Sequence, residues 1–193
     1  MTDRHWVDEI RHVALSMFRK NFFGVYHGSI SARMDASVFL INTREAIFDE
    51  IGEDSLIQLD SNHPDYRWQQ ASLDAPIHEE IYRRIPHAKY IAYTMPPYVT
   101  AYTLTDDRFV PPDYFGDKML GEISVYDPRR FSDWYDRAPF EIADYFKKHS
   151  GNLMLIKGYG VYAYDRDLSQ MAKKIAILEN SARLLTLKPD VDR

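Results

Sequence analysis

Short apolar runs alternate with amphipathic segments along the whole chain, and this alternation limits the folds that the chain can adopt. The runs of strand type cover residues 37–41, 55–59, 90–92, 122–126, 153–156 and 161–164. The last two flank a Gly158-Tyr159-Gly160 turn, as the strands of a hairpin would. Helical segments mixed with hairpin-connected strands predict an α/β fold. We expect a three-layer α/β/α sandwich with a mixed, largely antiparallel central sheet.

Proline marks where several helices are expected to begin. Pro76, Pro97 and Pro139 each stand at the head of an amphipathic segment, and proline is favoured in the first turn of a helix. Asp74 is the expected N-cap of the helix at Pro76. A first helix should end near Asn21, and a last one should start after residues 167–169. The segment 106–137 is predicted to be loop-rich, with a strand-like run inside it.

Composition removes several classes of function. The 193 residues fit a single domain over 1–193, and a net charge of −5 gives no electrostatic reason to bind nucleic acid. The absence of cysteine excludes disulfides and thiolate-bound zinc. No apolar run approaches the ~18 residues of a membrane span, and the first residues are charged rather than apolar. We therefore expect no membrane partner and a cytoplasmic location.

The segment Gly28-Ser29-Ile30-Ser31 combines a flexible residue with two hydroxyl groups. Exposed main-chain N–H groups beside serine hydroxyls can hold a phosphate group. The simpler interpretation is a turn-rich connection, residues 24–31, that leads into a strand. The residues alone favour that simpler interpretation.

Asp74 and His78 are four residues apart and so lie on one face of the predicted helix. A carboxylate beside an imidazole could act as a base with its orienting partner. We favour the simpler interpretation, an N-cap aspartate with an unrelated surface histidine. The sequence 78–82 lacks the second histidine of a zinc-protease helix because Tyr82 stands there. No two of the seven histidines are separated by one or three residues, so no local metal-ligand pair exists.

The order of these segments resembles the class II aldolase/adducin family. Residues 28–31 resemble its Gly-Asn-hydrophobic-Ser loop, and residues 71–78 resemble its Ser-Ser-Glu-x-x-x-His stretch. Residues 81–88 are similar to its Tyr-x-x-Arg-Pro-x-Ala turn. The stretch YIAYTMPPYVTA, residues 90–101, then falls where the family carries His-x-His. Residues 156–161 fall where it carries Asn-His-Gly, so the likeness covers nearly the whole chain.

The resemblance implies three histidines that bind a divalent metal, usually zinc, and a glutamate that acts as acid and base. At the three metal positions this chain has Tyr93, Met95 and Tyr159, and at the acid/base position it has Asp74. Tyrosine and a thioether are poor zinc ligands. We therefore expect no metal cofactor and no ordinary zinc-dependent aldolase activity. Tyr93, Tyr159 and Asp74 remain candidate catalytic groups.

The resemblance also places an anion-binding region in the chain. The positions that match the family's phosphate-contacting segments are Gly28, Ser29, Asn42, Thr43 and Ser72. The glycine of the family's Thr-Pro-Thr-Gly-like segment is gone, and Leu73 replaces its second serine. Arg44 could add a positive charge.

These observations leave three hypotheses for function. The leading one is a divergent family member that binds a small phosphorylated or anionic metabolite, or serves as a scaffold. The second is a lyase or other enzyme that acts on a sugar phosphate through Asp74, Tyr93, Tyr159 or Lys157. The third is an active aldolase whose metal is held by other residues, such as His78 with Asp74. The family's four-fold tetramers and the 14 tyrosines lead us to expect a homo-oligomer.

Overall fold

The computed structural model describes residues 4–24 and 27–187. Within them an eight-stranded sheet has the order β3-β2-β1-β4-β8-β7-β6-β5. Every pairing is antiparallel except that of β6 with β7. The strands are β1 Ser29–Arg33, β2 Val38–Asn42, β3 Leu56–Asp60, β4 Tyr90–Thr94, β5 Arg108–Phe109, β6 Ile123–Tyr126, β7 Leu153–Ile156 and β8 Gly160–Asp165.

Helices cover both faces of the sheet. They are α1 Arg4–Arg19, α2 Arg67–Gln70, α3 Ala75–Arg84, α4 Pro97–Tyr102, α5 Tyr114–Met119, α6 Trp134–Lys148 and α7 Leu168–Leu187. On one face α7 packs against α1, α4 and α5, and on the other α3 packs against α6. The predicted three-layer α/β/α sandwich with its mixed, largely antiparallel sheet is confirmed.

The central strand β4 shows how one sequence serves two cores. Tyr90 and Ala92 belong to the core under α1 and α7, whereas Ile91 and Tyr93 belong to the core under α3 and α6. Successive side chains of a strand point to opposite faces, so an all-apolar run is needed where both faces are covered. The uninterrupted apolar sequence of β4 therefore reflects its place in the middle of the sheet.

One expectation about helices is corrected, and another was incomplete. The segment 106–137 is rich in loops as expected, but besides β6 it contains α5, β5 and the start of α6. Pro139 does not begin a helix but lies inside α6, which starts at Trp134. Trp134 is almost fully buried, and Arg137 contacts the N-cap residue Asp133 across 3.0 Å. These contacts hold a helical turn ahead of the proline, which has no N–H to donate to the carbonyl four residues before it.

The connection predicted over residues 24–31 is also shorter than expected. Ser29 already lies in β1 and pairs with Tyr93 of β4, so residues 29–31 are strand rather than loop. Val25 and Tyr26, which belong to the same predicted connection, lie outside the described residues. Ser29 and Ser31 are fully buried in the middle of the sheet. Polar side chains can occupy such a position only where they find hydrogen-bond partners.

Candidate functional site

A cavity of about 340 Å³ opens beside the ends of β2 and β4. Its lining includes most of the residues that the sequence singled out. They are Gly28, Asn42, Arg44, Ser72, Leu73, Asp74, Tyr93, Met95 and Tyr159. His27, Ala46, Phe48, Tyr135 and Gly158 complete the wall. Ser29 and Thr43 are not part of the lining.

Two glycines let the backbone pass close to Tyr93. Gly28 has a φ of 127°, and a Cβ atom there would lie 2.4 Å from the Phe23 ring. Gly160 has a φ of 140°, and a Cβ atom there would lie 2.3 Å from the Thr94 carbonyl oxygen and 3.0 Å from the Tyr93 ring. Side chains at either position would be strained and would clash. Both glycines therefore shape this end of the sheet.

Asp74 stands at the N-terminus of α3 but does not cap it with its side chain. Its Oδ2 atom accepts a hydrogen bond of 2.7 Å from the Ser29 hydroxyl. Its Oδ1 atom is buried and has no hydrogen-bond partner among the residues that the structure describes. Burial raises the pKa of this carboxyl, and the hydroxyl groups of Ser29 and Tyr162 partly oppose that rise. Asp74 can therefore hold a proton at a higher pH than an exposed aspartate.

His78 is not the surface residue that we expected, because it is fully buried between α3 and the sheet. Its Nε2 atom lies 2.9 Å from the Ser29 hydroxyl, and its Nδ1 atom lies 2.7 Å from the Ser31 hydroxyl. Burial lowers the pKa of His78 to about 3, so the ring is neutral near pH 7. Both ring nitrogens are already engaged, and neither is free to bind a metal ion.

Stacked tyrosines form one wall of the site. Tyr93 of β4 stands directly opposite Tyr162 of β8, and their ring centroids are 4.9 Å apart. The other face of Tyr93 stacks on Tyr159 at 4.8 Å, and Tyr159 stacks in turn on Phe131 at 6.1 Å. Such offset aromatic pairs add to the stability that buried area already provides. The wall is therefore a packed structure rather than a set of free side chains.

The hydroxyl groups of this wall are held in their neutral form. Burial raises the pKa of Tyr93 and of Tyr159, and the nearby charge of Asp74 raises both further. The Tyr93 hydroxyl donates a 2.8 Å hydrogen bond to the main-chain oxygen of Tyr159. The Tyr159 hydroxyl lies 3.3 Å from that of Tyr135. Neither Tyr93 nor Tyr159 is thus poised to act as a base near neutral pH.

The predicted anion-binding residues differ in what they can still contact. The Oδ1 atom of Asn42 accepts from the Ile30 N–H, and its amide nitrogen donates to the Thr43 carbonyl. Asn42 therefore supports the loop more than it offers groups to a ligand. Ser29 is fully buried, and its hydroxyl donates a hydrogen bond to Asp74. Ser72 remains at the cavity wall, and its hydroxyl accepts weakly, at 3.3 Å, from the Asp74 N–H.

Two cations flank the region in different ways. Arg44 is exposed at the cavity, and its guanidinium group makes no hydrogen bond or ion pair within the described parts of the chain. Lys157 does not line the cavity and instead pairs with Asp107 at 3.2 Å. Of the two, Arg44 is the one available to a ligand.

Comparison with known proteins supports the resemblance. A profile described as "Class II Aldolase and Adducin N-terminal domain" matches residues 8–186. The chain belongs to this family. Comparison with curated proteins finds no match.

Several solved structures share the fold. The crystal structure of l-fuculose-1-phosphate aldolase from Thermus thermophilus superposes with a TM-score of 0.84 at 23% identity, covering 95% of this chain and 94% of that one. YgbL from Klebsiella pneumoniae superposes with a TM-score of 0.82 at 19% identity, covering 100% of this chain and 93% of that one. A sugar-phosphate aldolase from Thermotoga maritima superposes with a TM-score of 0.71 at 18% identity, covering 95% of this chain and 96% of that one. At these identities the likeness establishes the fold alone.

The residues present do not fit the zinc ion that class II aldolases carry. At the positions of the family's three histidines stand a thioether, Met95, and two phenols, Tyr93 and Tyr159, whose pKa values are raised. A zinc site needs imidazole, thiolate or carboxylate donors. No group of three histidine, aspartate or glutamate side chains able to hold a metal ion occurs in residues 4–24 and 27–187.

Proposed function

We propose that this class II aldolase-family protein binds a small anionic metabolite with hydroxyl groups, or serves as a scaffold, without the family's zinc chemistry. One observation carries the binding proposal. The same cavity holds a buried carboxylate oxygen without a partner, Oδ1 of Asp74, and an exposed guanidinium group without a partner, that of Arg44. Neither the Oδ1 atom nor the guanidinium group has a hydrogen-bond partner among residues 4–24 and 27–187.

The Asp74 carboxylate and the Arg44 guanidinium would bind different parts of one ligand. A buried polar atom without a hydrogen bond is costly, so Oδ1 of Asp74 favours a ligand hydroxyl that reaches it. The guanidinium group of Arg44 favours a phosphate or carboxylate, which it can bind with two parallel hydrogen bonds. Two relatives are named as aldolases of phosphorylated sugars, which is consistent with this combination.

The rest of the wall suits the carbon skeleton of such a ligand. Met95, Tyr135 and Tyr159 contribute apolar surface, and Ser72 contributes a hydroxyl. The volume of about 340 Å³ lies near the lower end of the ~300–1,000 Å³ typical of small-molecule sites. A phosphorylated monosaccharide is therefore a reasonable first probe.

Calorimetric titration with l-fuculose 1-phosphate, in the presence of a chelator, tests the proposal. Saturable binding that is much weaker for unphosphorylated l-fuculose is the expected result. Arg44→Gln should weaken binding by roughly tenfold or more, because it removes a charge-assisted contact. Arg11→Gln makes the same charge change on exposed α1 and should leave binding intact. Equal effects of the two substitutions, or no preference for the phosphate, would refute an anion site at Arg44.

A second candidate function is acid–base catalysis on a sugar phosphate by Asp74. It is favoured by the raised pKa of that buried carboxyl, a common property of groups that exchange protons in reactions. Turnover of l-fuculose 1-phosphate would be measured with the wild-type protein and with Asp74→Asn. Turnover that Asp74→Asn abolishes would establish an enzyme, whereas binding without turnover favours the binding role.

We also propose that the chain forms a homo-oligomer, as family members do. Large aromatic side chains are exposed on α5 and α6 and near the cavity, and aromatic residues are enriched at interfaces. They are Tyr114, Phe115, Phe131, Tyr135 and Phe140. Light scattering should give a mass well above that of one chain, ideally four-fold, and a monodisperse monomer would contradict the proposal.

No helix among residues 4–24 and 27–187 has the length and apolar character to span a membrane.

A further inference from the structure

A continuous chain of buried polar groups runs from Asp74 through the centre of the protein to Tyr82. Ser29 donates to Asp74 at 2.7 Å and lies 2.9 Å from Nε2 of His78. Nδ1 of His78 lies 2.7 Å from the Ser31 hydroxyl, which lies 2.7 Å from the Tyr82 hydroxyl. Burial raises the pKa of Tyr82 and lowers that of His78 to about 3. Every link between Asp74 and Tyr82 is thus neutral near pH 7.

Counting protons fixes the direction of each hydrogen bond when Asp74 is ionised. The single hydroxyl proton of Ser29 goes to Asp74, so Ser29 must accept from a protonated Nε2 of His78. Nδ1 is then the acceptor of the neutral ring and takes the proton of Ser31. Ser31 in turn accepts from Tyr82. All donors point toward Asp74.

Protonation of Asp74 reverses the chain without moving a heavy atom. The carboxyl proton now points to Ser29, Ser29 donates to Nε2 of His78, and the ring proton sits on Nδ1 and points to Ser31. Ser31 donates to Tyr82, and Tyr82 has an acceptor ready in the main-chain oxygen of Lys89 at 3.3 Å. Both directions satisfy every hydrogen bond, and they differ in the tautomer of His78.

The other end of the hydrogen-bonded chain lies at a residue that lines a different cavity. Tyr82 lines a second cavity of about 160 Å³, together with Arg33, Glu79 and Arg83. This cavity shares no lining residue with the one beside Asp74, as far as the structure describes the chain. A ligand in the first cavity would separate the carboxyl from solvent on that side. The hydrogen-bonded chain would then give the carboxyl a route for protons toward the second cavity.

We propose that Asp74 exchanges protons with the Tyr82 side of the molecule through this chain, and that His78 changes tautomer with each transfer. A proton that binds the Tyr82 oxygen releases the hydroxyl proton of Tyr82 to Ser31. The Ser31 proton passes to Nδ1 of His78, the Nε2 proton to Ser29, and the Ser29 proton to Asp74. One proton enters, one arrives at the carboxylate, and no intermediate residue keeps a charge.

Exposed His27 and Arg44 line the cavity beside Asp74. The groups that face Asp74 from β4, β8, α6 and the turn before β8 are phenols whose pKa values are raised: Tyr93, Tyr162, Tyr135 and Tyr159. The ring of His78 faces Tyr162 edge-on at 6.3 Å. The Arg33 guanidinium lies 4.7 Å from the centre of the Tyr82 ring. The proposal deepens the proposed function, since it concerns the group that would meet the ligand.

The tautomer of His78 provides a direct test on the wild-type protein. Ring ¹⁵N shifts of labelled histidine would be followed by NMR against pH, with His78→Gln identifying the signal, alongside the ¹³Cγ shift of Asp74. We expect the Nε2–H tautomer where Asp74 is ionised, the Nδ1–H tautomer where it is protonated, and a common midpoint. A single tautomer throughout, or a ring that becomes cationic near its ordinary pKa of ~6.5, would overturn the proposal.

Tyr82→Phe gives a second test, because it removes the hydroxyl that accepts the Ser31 proton in the reversed direction. The midpoint of Asp74 should fall by roughly one pH unit. Tyr90→Phe is the matched control, since Tyr90 is also buried but donates to Glu9, which is not part of the hydrogen-bonded chain, and it should leave the midpoint unchanged. Equal midpoints in the two variants would overturn the proposal.

These measurements are independent of the proposed binding function. They use no ligand, so a failure to bind l-fuculose 1-phosphate leaves their outcome unaffected, and a fixed His78 tautomer leaves the binding proposal unaffected. Near-UV circular dichroism establishes that each variant is folded. If Tyr82→Phe does not fold, the tautomer of the wild-type protein decides the question alone.

Discussion

The Tyr93 hydroxyl donates a hydrogen bond to the main-chain oxygen of Tyr159, 2.8 Å away, while the two rings stack at 4.8 Å. Two of the positions at which the family carries metal ligands are thus joined to each other. The bond uses the only side-chain donor of Tyr93, and the stack fills space beside Asp74. What is a metal site in the family has become, in this chain, a packed aromatic wall.

Metal analysis tests this interpretation directly. We expect the purified, dialysed protein to hold no stoichiometric zinc at Tyr93, Met95 or Tyr159, because neutral phenols and a thioether bind it poorly. The triple substitution Tyr93→His, Met95→His and Tyr159→His is the positive control and should bind about one zinc per chain. Stoichiometric zinc in the wild-type protein that Tyr93→Phe removes would contradict the interpretation.

Substitutions of Tyr93 separate its hydrogen bond from its ring. Tyr93→Phe should lower the free energy of unfolding by about 1 kcal/mol, since it leaves the Tyr159 carbonyl without its donor. Tyr93→Ala should lower it by roughly 3–5 kcal/mol, because it leaves a cavity between two stacked rings. Urea unfolding measures both. Tyr114→Phe, at a residue that is 68% exposed, is the control and should change little.

A small loss in Tyr93→Ala would show that the wall is not packed as described. The neighbouring side chains would then have to move freely, and the cavity would be larger in solution than about 340 Å³.

Much of the framework could be predicted from the sequence because its signals are local. Apolar runs predicted β2, β3, β6, β7 and β8 to within one residue at each end, and the order of the motifs indicated the family. Helix α5 escaped because its six residues carry too little periodicity. Its N-terminus is capped by Asp113, which accepts from the Gly116 N–H, and the Ser181 hydroxyl on α7 adds a tertiary contact by donating to Asp113.

The buried chain left a signal that could have been recognised. Ser29 and Ser31 are two residues apart and share one face of a strand, whereas His78 and Tyr82 are four apart and share one face of a helix. Nothing local shows that these two faces meet. The surface interpretation of His78 failed for that reason, since only the packing of α3 on β1 supplies its partners.

Glycine substitutions test the close approach of the backbone around Tyr93. Gly160→Ala should destabilise the protein by roughly 1–3 kcal/mol, because the new methyl group would meet the Thr94 carbonyl at 2.3 Å and φ is 140°. Gly151→Ala is the matched control, since a Cβ atom there meets nothing within 4 Å. Thermal unfolding of the two variants compares them, and equal melting temperatures would contradict the description of this turn.

The pH dependence of stability offers a last test, and two neighbouring groups act in opposite directions. The pKa of His78 falls to about 3 in the folded protein, so between that pH and ~6.5 the unfolded chain binds more protons. The contribution of His78 to the free energy of unfolding therefore rises with pH in this window. Asp74, whose pKa is raised, contributes stability below ~3.8 that is lost as pH rises through its folded value.

His78→Gln should remove the rise in the free energy of unfolding that His78 causes, which is at most about 1.4 kcal/mol per pH unit. The substitution also lowers stability at every pH, because it interrupts the hydrogen bonds that link Asp74 to Tyr82. Urea unfolding at intervals between pH 7 and pH 4.5 gives the slope. His12→Gln, at an exposed residue of α1, should keep the wild-type slope. If His78→Gln also keeps the wild-type slope, the ring of His78 is not held neutral on acidification. Its position between Ser29 and Ser31 must then differ from the position described.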